Sequence, residues 1–152
     1  MSQNKTEITL KNFEIVEIVN QLESADSILK STSQDKKLPI SILWIIDGNY
    51  RTLKSYFERI QEKEQAINQE YFNDEKSELN SDGYREVKVE FREEFLKAKN
   101  DLFAIENTIS IEKVQINQLE GYNFIPSDFN SIRFMLTDST DDEQVQQVPE
   151  QI

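Results

Sequence analysis

The chain has 152 residues, no cysteine and no histidine, and 29 acidic against 17 basic side chains, for a net charge of −12. Those two absences remove disulfides, thiolate nucleophiles, thiolate and imidazole metal sites and the commonest general base. Three Gly and three Pro beside 30% charged and 37% hydrophobic residues describe a helix-dominated soluble domain rather than a sandwich or barrel, and its charge sets it against phosphate backbones and anionic lipid surfaces.

Residues 1–7 lack the apolar core of a secretory signal. The most apolar window, Leu38 to Ile46, is too short to span a bilayer and runs into Asp47. A cytoplasmic protein with no membrane contact is expected. Glu7 to Leu10 alternates as an edge strand does. Asn12 then offers a helix N-cap, and Ile15, Ile18, Leu22, Ala25 and Leu29 repeat at three-four spacing, predicting an amphipathic helix to about Lys30. Ser31 to Lys37 is polar and reads as a connection.

From Leu38 to Phe72 the same spacing is sustained by Leu43, Ile46, Tyr50, Leu53, Phe57, Ile60, Ile67 and Tyr71, interrupted only by Glu64. Pro39 suits the first turn of a helix. A single helix of this length measures roughly 50 Å, longer than a small core buries, so a partner helix and a binding surface are expected. The first helix should run back along it as an antiparallel hairpin. Asp47-Gly48-Asn49 is turn-like in composition, but the apolar stripe keeps its phase through it, which predicts an unbroken helix with Gly48 as a weak point or a close contact. Trp44 and Ile45 lie off the seam, placing the deepest part of the core at this end.

Residues 73–84 (NDEKSELNSDGY) read as an exposed acidic loop at the hairpin tip. A third helix follows, with Phe91, Phe95, Ala98, Leu102 and Ile105 in one stripe and Leu96 and Phe103 beside them, and should pack against the long one. Thr108 to Ile116 changes to near-alternation with β-branched residues and predicts a strand, in which Ile109 and Ile111 lie near Ile8 and Leu10. Pro126-Ser127-Asp128 opens a short last helix bearing Phe129, Ile132 and Leu136. Residues 137–152 hold five acids and no base and predict a disordered acidic tail. The fold class is therefore α+β and helix-dominated: one domain over residues 1–136, built from a long helical hairpin, a third helix, a small two-stranded sheet and a short C-terminal helix.

No catalytic or ligand-binding pattern stands out. Glu93-Glu94 and Asp141-Asp142 lie on a solvated helix face and in the tail, without the contrasting environments that carboxylate catalysis needs. Asp74, Glu75, Glu78 and Asp82 lack the spacing of a calcium loop. Three scattered glycines make no phosphate cradle. Lys36, Lys37, Arg51, Lys54 and Arg59, with Tyr50 and Tyr56 between them, are diluted by Glu58, Glu62 and Glu64 as a nucleic-acid track. No enzyme, cofactor or metal is expected.

A short strand before LKNFEIVEIVNQL, the Lys37-Leu38-Pro39 start of the long helix, its end near INQEYF, an acidic insert, EFREEFLKAKNDLF, and TISIEKVQI before a closing helix together resemble an uncharacterised family of short phage and prophage proteins. The resemblance spans residues 6–136 and implies a virus-encoded accessory protein acting in the host cytoplasm or associated with the virion. The expected function is non-enzymatic binding of a phage or host protein through the distal hairpin, at Glu64, Ile67, Tyr71, Phe72, Asp74 and Glu75. The alternative is an acidic inhibitor that mimics nucleic acid toward a host defence nuclease. Self-association through Ile67 and Tyr71 is left open.

Overall fold

Strand β1 (Lys5–Lys11) leads without a loop into helix α1 (Asn12–Glu23), and the long helix α2 spans Ile40–Tyr71. The structure is a computed structural model describing residues 5–30, 38–122 and 124–138. The connection 31–37 and the tail beyond residue 138 lie outside the described residues. A β-hairpin follows (β2, Ser77–Leu79; β3, Arg85–Val87), then helix α3 (Val89–Ala104) and strand β4 (Glu106–Glu112). Strand β5 (Val114–Gln115), a 3-10 turn (Ile116–Leu119), helix α4 (Pro126–Ile132), a second 3-10 turn (Arg133–Met135) and strand β6 (Leu136–Thr137) complete the order. The fold is α+β and helix-dominated, as the sequence pattern predicts.

At 32 residues, α2 is about 48 Å long. It is helical through Asp47-Gly48-Asn49, because the residues before and after share one buried face and packing outweighs local turn propensity. That face is Ile42, Ile46, Asn49, Leu53, Phe57 and Ile60, with Leu43 and Tyr50 half-buried beside it. Gly48 is exposed and a Cβ there would meet nothing within 4 Å, so no close contact requires it. At this end Leu38, Ile42 and Ile46 are buried in the main core, but the off-seam side is not. Trp44 is 74% exposed and Ile40 70%, since four residues apart they share the side of α2 turned away from the seam.

Helix α1 runs antiparallel to α2: its last residue, Glu23, accepts hydrogen bonds from Tyr50 and Lys54, while its first, Asn12, shares a small cleft with Ile60. Asn12 is not the N-cap. Lys11 is, with its N–H held by the Glu14 carboxylate at 2.9 Å, which frees the Asn12 side chain to bond the Leu102 carbonyl at 2.7 Å and accept from Asn107 at 2.7 Å. The helix stops at Glu23 rather than Lys30. Ser24 turns to extended backbone and bonds Asp26 at 2.7 Å, the local competition that short polar side chains offer to a helix.

Three two-stranded sheets occur among the described residues, where one was expected. Strands β1 and β4 pair antiparallel, with Ile8 opposite Ile109, Leu10 opposite Asn107 and Thr6 opposite Ile111. The predicted strand 108–116 starts earlier and breaks at Lys113. Val114 and Gln115 form β5, Ile116 opens the first 3-10 turn, and β5 pairs in parallel with β6, so Leu136 belongs to a strand and not to the closing helix. Thr137, read as tail, lies in that strand too. The main core gathers Ile15, Val19 and Leu22 of α1, Ile46 and Leu53 of α2, and Ile109 and Ile111 of β4, closed by Val114, Ile132 and Met135.

Candidate protein-docking surface

Past Ile60 the core ends, yet α2 continues for about 16 Å at the rise of a helix. Helix α3 runs antiparallel along this distal part: Lys99 reaches Glu64 at 2.6 Å and Phe95 meets Tyr71 with ring centroids 5.5 Å apart. Phe72 meets the same Phe95 ring edge-on at 5.4 Å. Lys76 lies over Tyr71 at 4.9 Å and over Phe91 at 5.4 Å, and Lys99 over Phe95 at 5.6 Å. Tyr71 and Val87 are buried here but stand outside the main core. The distal part of the hairpin is thus an arm with its own small core, in which rings pair with one another and with cations.

Asn73 ends α2. Its side-chain oxygen accepts from the N–H groups of Glu75 and Lys76 at 3.1 and 2.9 Å, and its amide donates to the Glu70 carbonyl at 2.9 Å. The chain then forms the β2–β3 hairpin inside the stretch expected to be a plain loop. Its turn is closed by Asn80, whose side-chain oxygen accepts from Asp82 and Tyr84 at 2.9 and 3.0 Å, and by Gly83 at φ +88°, a conformation that costs glycine nothing. Arg85 bonds Ser77 across the hairpin at 2.9 Å and ties the hairpin to the turn after α2 through Asp74 at 3.3 Å. Arg92 ties it to α3 through the Val87 carbonyl at 3.0 Å and Glu86 at 3.3 Å.

Residues 61–98 carry eleven carboxylates against six basic side chains. Around them, Leu79, Tyr84, Val89 and Leu96 are exposed apolar side chains; Val89 and Leu96, seven apart, share one flank of α3. The Tyr71 phenol is pushed above its ordinary pKa by burial, then by the Glu94 and Glu70 carboxylates, with Lys76 opposing.

The six residues expected to bind a partner divide into two groups. Glu64, Ile67 and Tyr71 lie on the seam facing α3: Glu64 is held by Lys99, Ile67 is half-buried, and Tyr71 is buried beneath Phe95 and Lys76. Tyr71 is therefore not available to pair with a second copy of the chain. Phe72, Asp74 and Glu75 lie at the exposed turn. The sequence pattern does not mark Leu79, Tyr84 or Val89 and sets Leu96 beside the packing stripe of α3, whereas Leu96 is exposed, being, like Val89, out of phase with Phe91, Phe95 and Leu102.

Among the described residues no group of three Asp or Glu converges as a metal site, and no helix is long and apolar enough to cross a membrane. Known protein families, curated proteins and solved structures yield no match to the chain.

Proposed function

We propose that this chain is a non-enzymatic accessory protein, of the phage-encoded kind its order of elements resembles, which binds a protein partner through the arm. The observation that carries the reading is the arm itself: a braced helical hairpin outside the main core, exposing Leu79, Tyr84, Val89 and Leu96 among eleven carboxylates. Exposed apolar groups rimmed by charge are the anatomy of an interface. The partner this surface fits offers basic side chains around an apolar patch.

A second reading, mimicry of nucleic acid toward a basic host protein, rests on Glu78 standing directly opposite Glu86 across the hairpin. Like charges so placed cost stability, and the fold does not require both. The test is capture of a partner from infected cells by the full chain, repeated with Leu79→Ser combined with Tyr84→Ser and, separately, with Glu78→Gln. Loss of the partner with the first variant, whose circular dichroism stays unchanged, supports docking on the arm; undiminished capture overturns it. Competition by DNA together with sensitivity to Glu78→Gln selects mimicry over assembly.

A further inference from the structure

We propose a second docking surface, independent of the arm: the outer edge of β1, with the groove beside it, takes an extended segment of a partner protein as an added antiparallel strand. Which edge is open follows from four hydrogen bonds. The N–H of Asn12 donates to the Ile105 carbonyl at 2.9 Å, continuing the β1–β4 register. The N–H of Lys11 points the other way, to Glu14 at 2.9 Å, and the backbone of Glu112 turns away from β1 to meet Asn49. Because backbone groups alternate in direction along an antiparallel pair, Thr6, Ile8 and Leu10 face β4 whereas Lys5, Glu7 and Thr9 face outward. Among the described residues, the outward N–H and C=O groups of Glu7 and Thr9 meet no partner. Such a row is a template for another strand.

The groove fixes the chemistry of the occupant. It measures about 510 Å³ and is lined by Leu10, Ile18 and Phe134 with Glu14, Glu17 and Arg133. Glu14 holds the outward N–H of Lys11, so the groove lies on the open side of β1. A strand antiparallel to β1 leaves this groove and then runs beside Thr9 and Glu7, presenting apolar side chains to Leu10, Ile18 and Phe134 and basic ones to Glu14, Glu17 and Glu7. The chain's own C-terminal segment does not fit, since residues 138–152 hold five acids and no base. A second copy does not fit either. Pairing about Glu7 sets that carboxylate against itself, pairing about Ile8 sets Lys5 against Lys11, and pairing about Thr9 needs the Lys11 N–H that Glu14 already holds.

The experiment uses the full chain and two synthetic peptides, KLKVTVT and ELEVTVT, read by fluorescence anisotropy and by amide exchange. In the free chain, amides of Glu7 and Thr9 exchange fast while Ile8 and Leu10 are protected; KLKVTVT then slows Glu7 and Thr9 by about tenfold or more, the effect of one or two added backbone bonds. Thr9→Pro removes an outward N–H without touching the β1–β4 ladder and weakens binding about tenfold, whereas Thr9→Val leaves it unchanged. ELEVTVT binds more weakly than KLKVTVT, and Glu17→Lys reverses that preference, a readout that holds even where the proline variant fails to fold. Slow exchange at Glu7 and Thr9 in the free chain overturns the proposal: at every concentration it means the chain covers its own edge, and only on concentrating it means a second copy does. Failure of KLKVTVT to bind, binding indifferent to Thr9→Pro in a folded variant, or equal affinity for both peptides overturns it as well.

Discussion

Asn49 holds Glu112 by both backbone polar groups: its side-chain amide donates to the Glu112 carbonyl at 2.8 Å, and the Glu112 N–H donates to its Oδ1 at 2.9 Å. A single side chain stands where a third strand would pair. It also contacts the Met135 sulfur at 3.3 Å, so the long helix, the sheet and the C-terminal segment meet at one residue that is 1% exposed. An asparagine in an apolar seam is affordable only because its amide is used this fully.

Asn49→Leu keeps the volume and leaves both Glu112 groups unpaired. Each orphaned group costs about 1–3 kcal/mol when buried, and Glu112 is only part-buried, so water offsets some of it. The expected loss is about 2 kcal/mol, seen as a lower urea midpoint at unchanged slope. A change below about 0.5 kcal/mol would show that the pairing does not hold the sheet to the helix.

Gly48 is the neighbouring case with the opposite sign. It is helical, exposed and clear of any atom within 4 Å, so Gly48→Ala removes backbone entropy from the unfolded chain at no steric cost. The expected gain is about 1 kcal/mol, read as a raised melting temperature. Destabilisation would mean that something outside the described residues packs on Gly48.

What the sequence disclosed and what it hid separate along physical lines. Phase is a global property of a helix, so the unbroken α2 and its antiparallel partners were legible from residues as far apart as Leu43 and Tyr71. Where a side chain goes after it leaves the backbone is not periodic. Asn12 reads as a cap because caps are local, whereas its bonds to Leu102 and Asn107 depend on chain some ninety residues away. Trp44 and Ile45 make their end of α2 apolar on more than one side, but hydrophobicity says nothing of whether the side Trp44 faces is covered. The β2–β3 hairpin has three residues per strand, too short for alternation to register. The arm's exposed residues are hidden by the same cause: periodicity marks the seam residues Ile67 and Tyr71 and is silent on the residues that fall between.

The Glu23 carboxylate accepts from Tyr50 at 2.6 Å and from Lys54, and the pKa values of Glu23 and Tyr50 are shifted in opposite directions. Hydrogen bonding from Lys54, then from Tyr50, lowers the Glu23 pKa against a desolvation penalty. Its contribution is present above the unfolded carboxylate value and is lost as pH falls through the lower folded one. The hydrogen bond to Glu23, followed by burial, pushes the Tyr50 phenol from 10.0 up to about 12. A raised acid is stabilising while protonated, so this contribution is intact below pH 10 and is lost as pH rises toward about 12. Ultraviolet titration of tyrosinate should show a component near pH 12 that vanishes in Tyr50→Phe and moves toward 10 in Glu23→Gln. An unchanged titration in Glu23→Gln would dismiss the carboxylate as the cause.

Phe95 decides whether the arm is a separate cooperative unit. Its ring touches Tyr71, Phe72 and the Lys99 ammonium and no main-core side chain belongs to that cluster. Truncation to alanine removes two ring pairs, each worth about 0.5–1.5 kcal/mol beyond area, and leaves a partly open cavity, for a local loss of about 2–3 kcal/mol. If the arm opens on its own, as sub-global units do, exchange of amides in the distal turns of α2, in β2–β3 and in the first half of α3 accelerates by about thirty- to a hundred-and-fortyfold. Amides of α1 and β4, anchored by Ile15 and Ile109 in the main core, keep their protection. Uniform acceleration throughout the chain would instead mean that the arm and body fold as one, and that the aromatic cluster supports the whole domain rather than a docking element attached to it.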